Sequence, residues 1–182
     1  GELISALVFV SLLLRYDISL QFLEFLLLAI LLLACSFADL EGYIIPDRFI
    51  LAAVAVRLVF IFISGDILNE FVYSVIGGFS VAIALLIIVL IMEKLLKREA
   101  MGGGDIKLIF VTGIFLGWKL NILCLIFACI IGIATGIIAM AGQKEEEDEN
   151  SRMIPWGPSI AAGAWLTMLF GQAIINWYIS LF

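Results

Sequence analysis

Leu85-Leu86-Ile87-Ile88-Val89-Leu90-Ile91-Met92-Glu93-Lys94-Leu95-Leu96-Lys97-Arg98-Glu99-Ala100-Met101-Gly102-Gly103-Gly104-Asp105-Ile106-Lys107-Leu108 passes from apolar to basic to glycine-rich to acidic and back to apolar. The apolar run ends a segment that starts near Leu68, and about 20 such residues cross a bilayer as a helix. Lys94, Lys97 and Arg98 mark its exit into water. Gly102, Gly103 and Gly104 make poor helix interior but suit close backbone approach and unusual dihedrals. Asp105 then falls in the first turn of a new apolar helix, where the helix N-terminus favours a carboxylate. The stretch therefore predicts a transmembrane helix, a surface turn and a second helix with an acid at its mouth. Taken alone, it also fits a flexible hairpin capped by a solvated aspartate.

The rest of the chain extends this pattern. Of 182 residues, 64% are hydrophobic and 14% charged, and the mean hydropathy is +1.22. A soluble domain is about half apolar with about a quarter charged. A polytopic membrane protein follows, whose spans satisfy their own backbone as helices. We expect an all-α transmembrane bundle of about seven segments: Glu2 to Leu14, Ile18 to Asp39, from just after Pro46 to Ser64, Leu68 to Leu96, Gly104 to Leu116, Leu120 to Ala141, and Pro158 almost to the end. This corresponds to a six-helix core plus one extra N-terminal helix. Residues 1–182 read as a single membrane-embedded domain, with 142–153 as a charged cytoplasmic loop. Its run Glu145-Glu146-Glu147-Asp148-Glu149 supplies much of the net charge of −6 and reads as a solvated segment.

The basic residues orient the bundle. Threading the segments puts Arg48, Lys94, Lys97, Arg98, Lys107, Lys144 and Arg152 on one side, and Arg15 and Lys119 on the other. Arg57 lies inside the third helix. By the positive-inside rule the first side is cytoplasmic. Asp105 falls there, and so does a second acid, Asp39, in Cys35-Ser36-Phe37-Ala38-Asp39-Leu40-Glu41-Gly42-Tyr43-Ile44-Ile45-Pro46-Asp47. A carboxylate at the end of an apolar span is costly unless paired, solvated or used. Asp39 alone also fits an interfacial helix end, with Glu41 and Asp47 as loop acids. Two such acids on one side of a membrane suggest an intramembrane aspartic protease.

Other chemistries find no footing. The chain has no histidine, which excludes histidine triads, histidine metal sites and a histidine general base. Cys35, Cys124 and Cys129 all lie in apolar runs and read as core residues, so no metal or cofactor is expected. No nucleic-acid partner is expected either, and the pattern sets no oligomeric state. The first segment lacks a basic n-region and a small-residue cleavage site, so no cleavable signal peptide is expected. The abrupt start at Gly1-Glu2-Leu3-Ile4 reads as a truncated chain or a piece of a longer protein.

Three motifs in order resemble the type IV prepilin peptidase family. The first is Asp39 followed eight residues later by the Asp47 of Ile44-Ile45-Pro46-Asp47. The second is Met101-Gly102-Gly103-Gly104-Asp105-Ile106-Lys107-Leu108, similar to the family's G-x-G-D-x-K-L. The third is Ile154-Pro155-Trp156-Gly157-Pro158, with Ala161, Ala162 and Trp165 following. The spacing of 66 residues between the acids fits as well, and the resemblance covers nearly the whole chain. Presenilins and signal peptide peptidases share G-x-G-D. They carry Tyr before the first acid, where this chain has Ala38, and a Pro-Ala-Leu motif that this chain lacks.

The resemblance implies hydrolysis of a prepilin or pseudopilin leader at the cytoplasmic face of a prokaryotic cell membrane, with Asp39 and Asp105 catalytic. One carboxylate takes a proton from water while the other, protonated, polarises the scissile carbonyl. Close carboxylates do not both ionise readily, so the pair shares a proton and titrates as a unit. Gly102 and Gly104 are expected to let backbone approach Asp105. Pro46, Lys107, Pro155, Gly157 and Pro158 are expected to shape the site or bind substrate. Lys107 fits a salt bridge, a lipid headgroup contact or a catalytic role. Asp47 and Glu41 fit turn and capping. The substrate so implied has a short basic leader and an apolar helix lying in the bilayer. Many bacterial members carry an N-terminal domain with paired Cys-x-x-Cys zinc sites, associated with N-methylation; this chain has no such pairs, so methyltransferase activity is not expected. The competing reading is an ion-coupled transporter with Asp39 and Asp105 binding a cation or proton. Against it stand the position of both acids near one surface and the lack of an internal repeat.

Overall fold

Helices account for every regular element among the described residues of the computed structural model, which are 2–42, 44–97, 101–142 and 155–181. In chain order they are α1 (Glu2–Tyr16), α2 (Leu20–Gly42), α3 (Asp47–Ile63), α4 (Ile67–Leu96), α5 (Gly103–Gly142) and α6 (Gly157–Ile179). The loop expected over 142–153 lies, but for Gly142, outside the described residues, as do Ile154 and Arg98. Helices α2, α4, α5 and α6 are long and apolar enough to cross a membrane. The chain is an all-helical membrane bundle.

Local chemistry sets the helix starts. Pro46, at φ −67°, caps α3 on its N-terminal side, and Pro158 lies in the first turn of α6. Both exploit a position where a missing N–H costs nothing. Helix α4 stops where Lys97 turns left-handed at φ 54° and its N–H bonds to the Glu93 carbonyl.

The expected fifth and sixth segments form one element with a sharp corner. Gly117 sits at φ 76° and ψ 168° inside α5, a backbone state that glycine takes without steric cost. The chain doubles back there. Thr112 donates to the Asn121 side chain at 2.8 Å, and Asn121 Nδ2 donates to the Ile109 carbonyl at 2.9 Å. On a straight helix, residues nine to twelve apart would be separated by about 13–18 Å. A reversal of the chain frees backbone groups that must find partners. The Tyr73 hydroxyl meets this need by donating to the Leu116 carbonyl at 2.7 Å.

Packing is tightest where α4 crosses the first arm of α5. A Cβ on Gly77 would overlap the Gly113 carbonyl, and one on Gly113 would overlap that of Gly77. Small residues of this kind let membrane helices approach closely. The second arm of α5 packs against α6. Helix α1 belongs to the core rather than standing outside it. Leu12 is fully buried, Trp165 donates to Ser11, and the Tyr16 hydroxyl donates to the Met168 carbonyl.

One buried cation joins three helices. Arg57 on α3 bonds to Glu24 on α2, to Glu70 on α4 at 2.6 Å and to Ser74 on α4 at 2.8 Å. Buried ions persist only when paired and hydrogen-bonded. Arg57→Ala strands Glu24, so we expect a loss of about 3–5 kcal/mol, read as a lower thermal midpoint in detergent. The joint replacement Arg57→Met with Glu24→Gln should recover much of it.

Candidate active site

Both acids continue apolar stripes. On α2 the buried residues run Phe25, Leu28, Ala29, Leu32, Cys35, Ser36 and Asp39, the three-and-four spacing of one helix face. Asp39 ends this inward stripe and is 5% exposed. On α5, Asp105, Leu108, Ile109, Thr112 and Leu116 are buried at the same spacing, and Asp105 is 9% exposed. Neither is a solvated helix end or hairpin cap.

The two carboxylates line one cavity of about 390 Å³, together with Ile44, Ile45, Pro46, Asp47, Gly102, Gly103, Gly104 and Lys107. Neither is in an ion pair among the described residues. The cavity lies where α2 ends and α3, α5 and α6 begin.

Three contacts fix its walls. The Gly157 N–H, at the start of α6, donates to Asp39 Oδ2 at 2.8 Å. A Cβ on Gly157 would come within 2.8 Å of that same oxygen, so the close approach requires glycine. On the other side, buried Ile45 lies against Gly104, where a Cβ would approach its side chain to 3.1 Å. Lys107 Nζ forms an ion pair with Asp47 Oδ1 across the mouth.

Of the residues expected from the sequence, the cavity brings together Asp39, Asp105, Pro46, Gly102, Gly104 and Lys107. Gly157 touches Asp39 directly, whereas Pro155 and Pro158 are not among the lining residues. Gly102 and Gly104 have no positive φ; they contribute by lacking a side chain rather than by unusual dihedrals. Pro46 rather than Asp47 is the N-cap of α3, and the Asp47 side chain, in its first turn, accepts from Lys107. Sequence reasoning did not foresee Ile45 as a wall or the Gly157 N–H as a carboxylate donor. The signal available was the placement of both inside the quoted motifs.

A model of the type IV leader peptidase family matches residues 26–137, a stretch that holds both acids. The chain belongs to the type IV leader peptidase family. It is 30% identical over 182 residues to a prepilin leader peptidase/N-methyltransferase of Aeromonas hydrophila, covering 100% of this chain and 61% of that protein. A protein of the same description from Aeromonas salmonicida is 31% identical over 156 residues, 85% of this chain and 52% of its own. One from Bacillus subtilis (strain 168) is 29% identical over 185 residues, 100% of this chain and 69% of its own. The chain thus spans from about half to two thirds of the length of these curated relatives. No solved structure matches it.

Gly157→Ala tests the close approach to Asp39. The added methyl should displace the carboxylate and lower any hydrolysis that depends on it by about 10²-fold. Circular dichroism and detergent elution should stay unchanged, and turnover of a peptide substrate measured beside them checks the expectation.

Proposed function

We propose that the chain is an intramembrane aspartic endopeptidase that removes the leader peptide of type IV prepilins or pseudopilins. The observation that carries this reading is the pair of buried carboxylates, Asp39 and Asp105, facing one cavity with no cation bound to either among the described residues. Buried acids left without a counter-ion are expensive. A site that spends this cost on chemistry needs both carboxylates facing one space, and their shared cavity supports that reading.

The chemistry follows from sharing one proton. The ionised member of the pair takes a proton from water, and the resulting hydroxide attacks the scissile carbonyl. The protonated member donates to the carbonyl oxygen as the tetrahedral intermediate forms. Collapse returns the oxygen's proton to its carboxylate and passes the water-derived proton to the leaving amine. The Gly157 N–H holds one oxygen of Asp39 and fixes its orientation through these steps.

Cleavage at the cytoplasmic face of a prokaryotic cell membrane is supported by charge. Among the described residues, Arg48, Lys94, Lys97 and Lys107 belong to the helix ends around the cavity, and Arg15 and Lys119 to the opposite end. Family membership and the relatives' printed names support prepilins as substrates.

Leader cleavage of a prepilin by purified chain in detergent tests the proposal. Asp39→Asn and Asp105→Asn should each lower turnover by about 10²–10⁴-fold or more, with native elution and helicity. Cleavage retained in either folded variant would sink the assignment. Because one carboxyl must be protonated and the other ionised, kcat/KM should follow a bell-shaped pH profile. A flat profile across the acid and neutral range would count against a shared-proton pair.

A further inference from the structure

A second cavity, of about 310 Å³, opens at the end of the bundle away from the two acids. Its size falls within the range of small-molecule sites, about 300–1,000 Å³. The corner of α5, the first turns of α4 and the last turns of α6 enclose it, through Tyr73, Trp118, Lys119, Gln172 and Asn176 among others. The corner is what builds it. A Cβ on Gly117 would overlap the Tyr73 hydroxyl, and Tyr73 is held by its bond to the Leu116 carbonyl. The turn then presents Trp118 and Lys119 as successive residues, with the ammonium 5.5 Å from the centre of the Trp118 ring.

The charge of this lining is the reverse of that at the other end. Lys119 is its one charged residue and forms no ion pair among the described residues. The acids of this end, Asp17, Asp66 and Glu70, are absent from the lining; Glu70 is taken by Arg57, and Asp66 accepts from Asn69. Gln172 donates to the Asn176 side-chain oxygen at 3.1 Å. That leaves the Asn176 amide nitrogen and the Gln172 oxygen, a donor and an acceptor, to a guest. Leu120, Ile175 and Ile179 supply an apolar wall. A cation, a tryptophan and a tyrosine beside apolar helix ends are what the headgroup level of a bilayer selects. A guest with one anionic group, neutral hydroxyls and an apolar body matches each of these groups.

We propose that this cavity seats the headgroup of a phospholipid carrying one phosphodiester and a neutral, hydroxyl-bearing alcohol: the phosphate on Lys119, the hydroxyls on the Gln172 and Asn176 amides, and the glycerol backbone against the apolar wall. A headgroup amine finds no carboxylate in the lining, so a zwitterionic lipid is disfavoured. The proposal is independent of the peptidase reading, and binding makes or breaks no covalent bond.

Purified chain in neutral detergent, titrated with dioleoylphosphatidylglycerol or dioleoylphosphatidylethanolamine, tests it by bound-lipid stoichiometry in native mass spectrometry and by the thermal midpoint. Phosphatidylglycerol should bind as one tight copy and raise the midpoint; phosphatidylethanolamine should bind more weakly. Lys119→Gln should weaken phosphatidylglycerol about fivefold, Lys119→Arg should keep it, and Asn176→Leu should narrow the preference between the two lipids. Lys94→Gln removes a charge from the last turn of α4, at the other end of the bundle, and should change nothing. Equal loss in Lys94→Gln and Lys119→Gln means that lipid is held by overall charge and overturns the proposal, as does equal affinity of the native chain for both lipids. Soluble glycerol phosphate that stabilises the chain as well as the lipid does makes the ligand a free anion and overturns it too.

Discussion

The hydrogen bond from the first amide of α6 to Asp39 is the contact on which the site depends. It joins residues 118 apart in sequence and seats the start of one helix on the end of another. A side chain at residue 157 would occupy the space of the carboxylate, so the contact exists only because glycine is there. The second arm of α5 packs against α6, and its first arm carries Asp105. Both acids thus lie on helices that pack against α6.

At the opposite end of α3, Arg57 performs the complementary task. It bonds to α2 and α4 at once, with its side chain only 7% exposed. In a membrane, apolar contact between helices gives little net drive, because lipid tails are equally apolar. Specific polar contacts and close glycine packing must then define which helices meet. Arg57 and the Gly77–Gly113 crossing do this away from the cavity, and Gly157 does it at the cavity.

Much of the fold was legible because its punctuation is local. Pro46 and Pro158 mark helix starts through their own backbone chemistry, and long apolar runs mark spans. The two acids stood out because apolar surroundings make a carboxylate conspicuous. What stayed hidden was non-local. Arg57 read only as a cation inside a span, since Glu24 and Glu70 lie 33 and 13 residues away. Asp47 read as a turn residue because its partner Lys107 is 60 residues on. The corner at Gly117 was half legible: two segments were expected, but the sequence does not reveal that one residue suffices to turn the chain.

Register explains why the acids sit where they do. Successive helical residues are rotated by about 100°, so an acid moved by one position on α2 would leave the inward stripe that ends at Asp39. The same holds on α5, where Asp105 precedes Leu108 and Ile109 on the buried face. Each carboxylate occupies the last inward position before its helix reaches the cavity. At that position the side chain is buried by the bundle and still faces the cavity. Asp47 and Lys107 lie just beyond this boundary, exposed and paired with each other. Within one cavity, depth along the helices therefore separates two buried carboxylates from one that is exposed and ion-paired.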